Sequence, residues 1–118
     1  MAKKLANEGF NICLVARNEE KMANCCKDIS AMCPNIQTMS IKADFGKMRT
    51  LAEYRETIQE QLKDKDVAVL VCNAGYAPMA MFELQPDDYT ENSIFVNVVH
   101  VVFTIKAMVE QLQKRKEI

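Results

Sequence analysis

Histidine is almost absent from this sequence: His100 is the only one in 118 residues. The five cysteines, Cys13, Cys25, Cys26, Cys33 and Cys72, form no finger-like spacing with it or with each other, so no metal centre is expected. Glycine and proline number three each, too few for a flexible linker or a low-complexity segment, and no internal repeat appears. A single domain of ordinary size is expected. Neither sign of charge dominates: 15 basic and 16 acidic side chains leave a net charge of -1, with no electrostatic pull toward nucleic acid or an anionic membrane. The longest apolar run, residues 94–105, is broken by Asn97, His100 and Thr104 and falls short of the roughly 20 residues a membrane span requires. The opening MAKKLANEGF holds no signal-like apolar stretch. An odd number of cysteines without a signal implies reduced thiols in a soluble, cytoplasmic setting.

What the sequence does have is alternation of two periods. Residues 2–7 read as the end of a helix stopped by Gly9. Residues 11–16 (NICLVA) form an apolar run of strand length, and residues 18–32 a helix capped by Asn18, with Glu19 and Glu20 suiting its positive end. Met22, Cys25, Cys26, Ile29 and Met32 make one apolar stripe, so the paired cysteines read as core residues rather than a redox pair. Residues 36–43 alternate as a strand, and residues 47–63 return to helical spacing. Residues 66–72 (DVAVLVC) are nearly all apolar, as in a strand covered on both faces. Residues 87–116 are rich in β-branched side chains but too long for a strand. They read as one helix, capped at Asp87 and Asp88 and buried all round in its middle. Strands alternating with helices predict an α/β fold with a parallel sheet, which binds ligands at the carboxyl ends of its strands.

The unusual residues sit at those ends. After the first strand comes Arg17, with no acid before Glu19. Such an arginine is either a surface cation at a helix start or a group that meets a ribose 2′-phosphate. Asp44, at the tip of the second strand, either caps a turn or holds an adenine amino group beside Phe45. The third run ends in Cys72-Asn73-Ala74-Gly75, where small side chains let a flat anionic ligand approach the backbone. Asn97, amid Phe95, Val96, Val98 and Val99, needs a hydrogen-bond partner whatever its role, because an unpaired buried amide costs about 1–3 kcal/mol.

The pieces LVARNEEKM, ADF, VLVCNAG and VNVV, in this order and spacing, resemble the cofactor-binding half of a short-chain dehydrogenase/reductase. Within that superfamily the chain looks most like the hydroxysteroid dehydrogenases and very-long-chain 3-oxoacyl-CoA reductases. The resemblance implies an incomplete Rossmann-like three-layer fold, with residues 1–118 forming a partial NAD(P)-binding domain. It further implies NADP(H) as cofactor, with Arg17 at the 2′-phosphate, Asp44 and Phe45 at the adenine, and Asn73, Ala74 and Gly75 lining the cofactor. Asn97 corresponds to the family's catalytic asparagine, which disturbs its helix locally and holds a water in a proton relay. The implied reaction is reduction of a ketone on a lipid-like substrate, steroid or 3-oxoacyl. By the same resemblance the location is cytoplasmic or at the endoplasmic reticulum.

Departures from the family pattern qualify this. Cys72 replaces an asparagine, and His100 stands where a small residue is usual, to pack either in a subunit contact or in the core. The glycine-rich strand would precede Ala2, and the catalytic Ser and Tyr-x-x-x-Lys would follow Ile118. None of Tyr54, Tyr76 and Tyr89 has a lysine four residues on. These 118 residues are therefore expected to be inactive alone, and marginally stable for want of the first strand. The alternative is a non-catalytic interaction module, pairing through the helix from Asn97 to Leu112 with His100 and Phe103 in the interface.

Overall fold

Asn18 begins the second helix as its chemistry predicts: its Oδ1 accepts the Lys21 backbone N–H at 2.9 Å. The structure is a computed structural model and describes residues 1–115. It contains two compact units, Met1–Asp44 and Phe45–Ile118.

The first unit is a β-α-β crossover preceded by a short helix. Helix α1 (Ala2–Asn7) ends before Gly9, whose φ of 94° lies in the left-handed region that favours glycine. Strands β1 (Ile12–Ala16) and β2 (Thr38–Lys42) pair in parallel with Ile12 opposite Thr38 and Ala16 opposite Lys42. Helix α2 (Glu19–Met32) connects them. Ala6, Ile12 and Ile29 form the core, and Leu5, Leu14, Cys25, Cys33 and Ile36 pack on it. Cys25 thus has the packing role its stripe position predicts.

The second unit is built on two helices. Helix α3 (51–62) starts at Thr50, whose hydroxyl accepts the Glu53 N–H while the Glu53 carboxylate accepts the Thr50 N–H, a reciprocal cap. Helix α4 (Asp87–Gln113) follows a 3-10 turn, Phe82–Leu84. Each helix contains a π turn, Arg55–Gln59 in α3 and Phe95–Val99 in α4. The face of α4 carrying His100, Thr104, Ala107 and Met108 is buried, as are Tyr54, Ile58 and Leu62 of α3.

Three expectations are corrected here. Residues 66–72 pair with no strand among the described residues, because an apolar run becomes a strand only where another strand satisfies its backbone. The middle of α4 is not buried all round: Ile94, Val98, Val102 and Ile105 are about half exposed, since among the described residues it is the opposite face that is packed. Pro86, not an aspartate, is the N-cap of α4, and Asp87 and Asp88 lie in its first turn. The helix ends at Gln113 with Lys114 as its C-cap, short of the expected span, whose last residue, Lys116, lies outside the described residues. Among those residues α4 is also long and apolar enough to cross a membrane, which the interrupted run 94–105 did not suggest. Its polar residues His100 and Thr104 are nevertheless buried in the unit's interior.

Tyr54 is fully buried and its hydroxyl has no hydrogen-bond partner among the described residues. Burial pushes its phenol up to about 12. Tyr54→Phe keeps the ring packed against Phe103 and removes an unsatisfied group. The expected result is a higher thermal unfolding midpoint, by roughly 4 °C or more, measured by circular dichroism.

Candidate functional site

In the first unit the parallel register brings the two strand tips together. The Ala43 N–H donates to the Ala16 carbonyl at 2.9 Å, so the chain leaves β1 at Arg17 and β2 at Ala43-Asp44 from neighbouring positions. Arg17 is exposed. The acid nearest it in sequence, Glu19, leans toward Lys42 at 3.8 Å instead. The Arg17 guanidinium has no ion-pair partner among the described residues, which suits a group awaiting an anion.

In the second unit the sequence-predicted residues Asn97 and Gly75 meet. Asn97 lies at the centre of the π turn in α4, so the helix is locally disturbed where the resemblance implies it should be. Its side chain reads both backbone groups of Tyr76: Oδ1 accepts the Tyr76 N–H at 2.8 Å, and Nδ2 donates to the Tyr76 carbonyl at 2.6 Å. Asn97 is exposed, which corrects the expectation of a buried amide, and its side chain is nonetheless held by the backbone just past Asn73-Ala74-Gly75. All three of those residues are exposed. Gly75 does not have a positive φ, and a Cβ placed on it would lie 3.7 Å from Asn97 Oδ1, an ordinary contact. The chain itself thus imposes no steric demand for glycine there. Close approach of a ligand would.

His100 completes the turn. Its backbone N–H bonds five residues back to the Phe95 carbonyl, and its ring Nδ1 lies 3.0 Å from the Val96 carbonyl. The carbonyl can only accept, so Nδ1 carries the proton of the neutral ring. The ring stacks on Phe45 with centroids 4.0 Å apart, and His100 is 3 % exposed. Of the two expectations for His100, a subunit contact or the core, the structure shows the core: the chain's own Phe45 covers it. Phe103 is likewise engaged, edge-on to Tyr54 at 5.7 Å. Phe45 is itself 8 % exposed, so its ring is spent on His100.

Burial lowers the His100 pKa, against a smaller raising effect of the Val96 carbonyl. The folded state therefore binds this proton less readily than the unfolded chain, whose histidine titrates near 6.5. The stability contribution is fully present above that pH and is lost as pH falls below it. Urea midpoints measured from pH 8 to pH 5 are expected to fall below pH 6.5, and His100→Gln is expected to flatten that dependence.

Arg49 was not singled out from the sequence, and Tyr76 and Tyr89 were named there only as lacking a lysine four residues on. Tyr76 is held by Asn97 and by Tyr89, whose ring is edge-on at 6.1 Å. Arg49 lies over the Phe95 ring, 3.7 Å from its centroid. The only signal for Tyr76 was the need of Asn97 for a partner, and nothing in the local pattern marked Arg49.

A family model described as short chain dehydrogenase matches residues 1–117. The chain is similar to inactive hydroxysteroid dehydrogenase-like protein 1 of Homo sapiens, 36 % identical over 118 residues, 98 % of this chain and 34 % of that protein. It is also similar to the very-long-chain 3-oxoacyl-CoA reductase of Emericella nidulans, 30 % identical over 98 % of this chain and 33 % of that protein. The chain thus spans about a third of the length of these relatives. Among solved structures it resembles an alcohol dehydrogenase from Thermococcus sibiricus complexed with 5-hydroxy-NADP. That match has a TM-score of 0.82 and 23 % identity, over 97 % of this chain and 47 % of the other. L-sorbose reductase from Gluconobacter frateurii, complexed with NADPH and L-sorbose, matches with a TM-score of 0.81 and 18 % identity, over 97 % of this chain and 42 % of the other. The fold is therefore α/β of the Rossmann type, present here in incomplete form with a two-stranded parallel sheet.

Proposed function

The chain belongs to the short-chain dehydrogenase family, and from that premise we propose that it carries part of the cofactor site of an NADP(H)-dependent reductase. The substrate class is a ketone on a lipid-like molecule, steroid or 3-oxoacyl. The observation that carries this is Asn97: an asparagine at a π turn, tied by both side-chain atoms to the backbone beside Asn73-Ala74-Gly75. A π turn in mid-helix displaces backbone carbonyls from the regular ladder, and such carbonyls are available to hold a water in a proton path.

The residues present fit the cofactor. Arg17 offers an unpaired guanidinium for the 2′-phosphate, matching the fork geometry in which arginine binds phosphate. Asp44 follows at the adjacent strand tip to take the adenine amino group. Because the Phe45 ring is buried, its contribution there is through its backbone. Asn73, Ala74 and Gly75 give a small-residue surface along which the cofactor passes. When bound, NADPH supplies hydride to the carbonyl carbon. Asn97 and its turn hold the water that leads to the general acid, which these 118 residues do not contain.

Titration with 2′,5′-ADP, followed by NMR of the backbone amides, tests this. Shifts at Arg17, Asp44 and residues 73–75 are expected, with a weaker response to 5′-AMP. Shifts elsewhere, or equal responses to both nucleotides, would contradict it. A second reading, a non-catalytic pairing module, draws on the half-exposed stripe of Ile94, Val98, Val102 and Ile105 on α4. Co-elution with a full-length relative, abolished by Val98→Asp with Val102→Asp, would favour that reading.

A further inference from the structure

The loop after β2 grips the Asn97 turn from both sides. Ahead of the turn's centre, the Arg49 guanidinium carbon lies over the ring of Phe95, the first residue of the π turn, 3.7 Å from its centroid. Behind it, the Phe45 ring stacks on His100, the residue that closes the turn, at 4.0 Å and 24°. The loop is in turn closed on itself, because Arg49 Nη1 donates to the Gly46 carbonyl. The Arg49 backbone N–H is also held, by the Glu53 carboxylate at the start of α3. One arginine thus joins the backbone of residue 46 to the ring that opens the turn. Arginine suits this because its planar cation can stack on an aromatic face while its edge donates hydrogen bonds.

We propose that Arg49 is a positioning residue that couples the loop 45–49 to the Asn97 turn, so that a nucleotide held at Asp44-Phe45 tightens the contact between Asn97 and Tyr76. The coupling rests on the nucleotide-binding role proposed above, whereas the clasp rests on geometry alone. Asp44 is joined to Phe45 by a peptide bond, so fixing Asp44 restricts the loop. The loop restrains Phe95, which opens the π turn, and His100, which closes it, and Asn97 lies between them. Coupling of this kind is reciprocal: what tightens the turn must also favour the nucleotide. The arginine touches no reacting atom and acts only through the turn.

Hydrogen–deuterium exchange of residues 73–78 and 94–100 tests both parts, in the protein with and without saturating 2′,5′-ADP. Wild type, Arg49→Met and Arg49→Lys are compared. Without nucleotide, Arg49→Met is expected to exchange about five-fold faster across residues 94–100, and Arg49→Lys to recover part of the protection by keeping a cation over the ring. With nucleotide, protection at Tyr76 is expected to rise about five-fold in wild type, the low end of usual coupling, and to rise little in Arg49→Met. Equal exchange of wild type and Arg49→Met without nucleotide overturns the clasp. Equal nucleotide-induced protection in both overturns the coupling. If 2′,5′-ADP fails to protect wild type while Arg49→Met still loosens the turn, the nucleotide-binding role and the coupling fall and the clasp stands.

Discussion

Arg17→Glu is expected to weaken binding of NADPH by about 10- to 100-fold while leaving NADH almost unchanged, as measured by calorimetric titration. A hydrogen bond to a charged group is worth about 1.5–3 kcal/mol, and each 1.4 kcal/mol is a factor of ten in affinity. The substitution removes that bond and sets a carboxylate against a phosphate. It is expected to cost little stability, since Arg17 is exposed and has no ion-pair partner among the described residues. An acid at this strand end is also what favours an unphosphorylated ribose, so NADH binding has no reason to fall. An equal loss for both cofactors would mean that Arg17 supports the fold or the shared diphosphate, and not the 2′-phosphate.

Asn97→Ala is expected to have the second large effect. It deletes both hydrogen bonds to Tyr76 and removes the side chain that ties the π turn to residues 73–76. Because Asn97 is exposed, water replaces part of what is lost, and the expected destabilisation is about 1–2 kcal/mol by denaturant melts. The local effect is larger: exchange of the Tyr76 amide is expected to rise by roughly tenfold, since it then lacks its acceptor. Asn97→Asp separates the two bonds, because a carboxylate still accepts the Tyr76 N–H but cannot donate to the Tyr76 carbonyl. In an intact reductase, the same Asn97→Ala change is expected to lower turnover about 100-fold with little change in cofactor affinity, as for misplaced catalytic groups generally. A fall in affinity without a fall in turnover would remove Asn97 from the proton path.

The parts of this chain that sequence patterns made visible are those decided by neighbours in sequence. Asn18 caps α2 and Gly9 stops α1 because the hydrogen-bond and backbone demands there are local. The strands β1 and β2 also emerged within a residue or two, from apolar runs and alternation. Residues 66–72 did not, because their apolar character says what the segment can do and not whether a strand lies beside it. The all-round burial expected for α4 failed for the same reason: Val98 and Val102 look like core residues until the absence of packing on that face is seen. Arg17 and Asp44 were chosen by type and position at strand ends, and the parallel register brings those two tips together. The partners of Asn97 and Phe95 were less visible. Tyr76 contributes only backbone atoms to Asn97, which any residue carries, and Arg49 reaches Phe95 across 46 positions of sequence.

The most direct measurement is a calorimetric titration of the wild-type protein with NADPH and, separately, with NADH. If adjacent strand tips hold an adenine nucleotide through its extra phosphate, NADPH binds at least about tenfold more tightly than NADH, in line with one charged hydrogen bond. Equal affinities, or tighter binding of NADH, would contradict that claim.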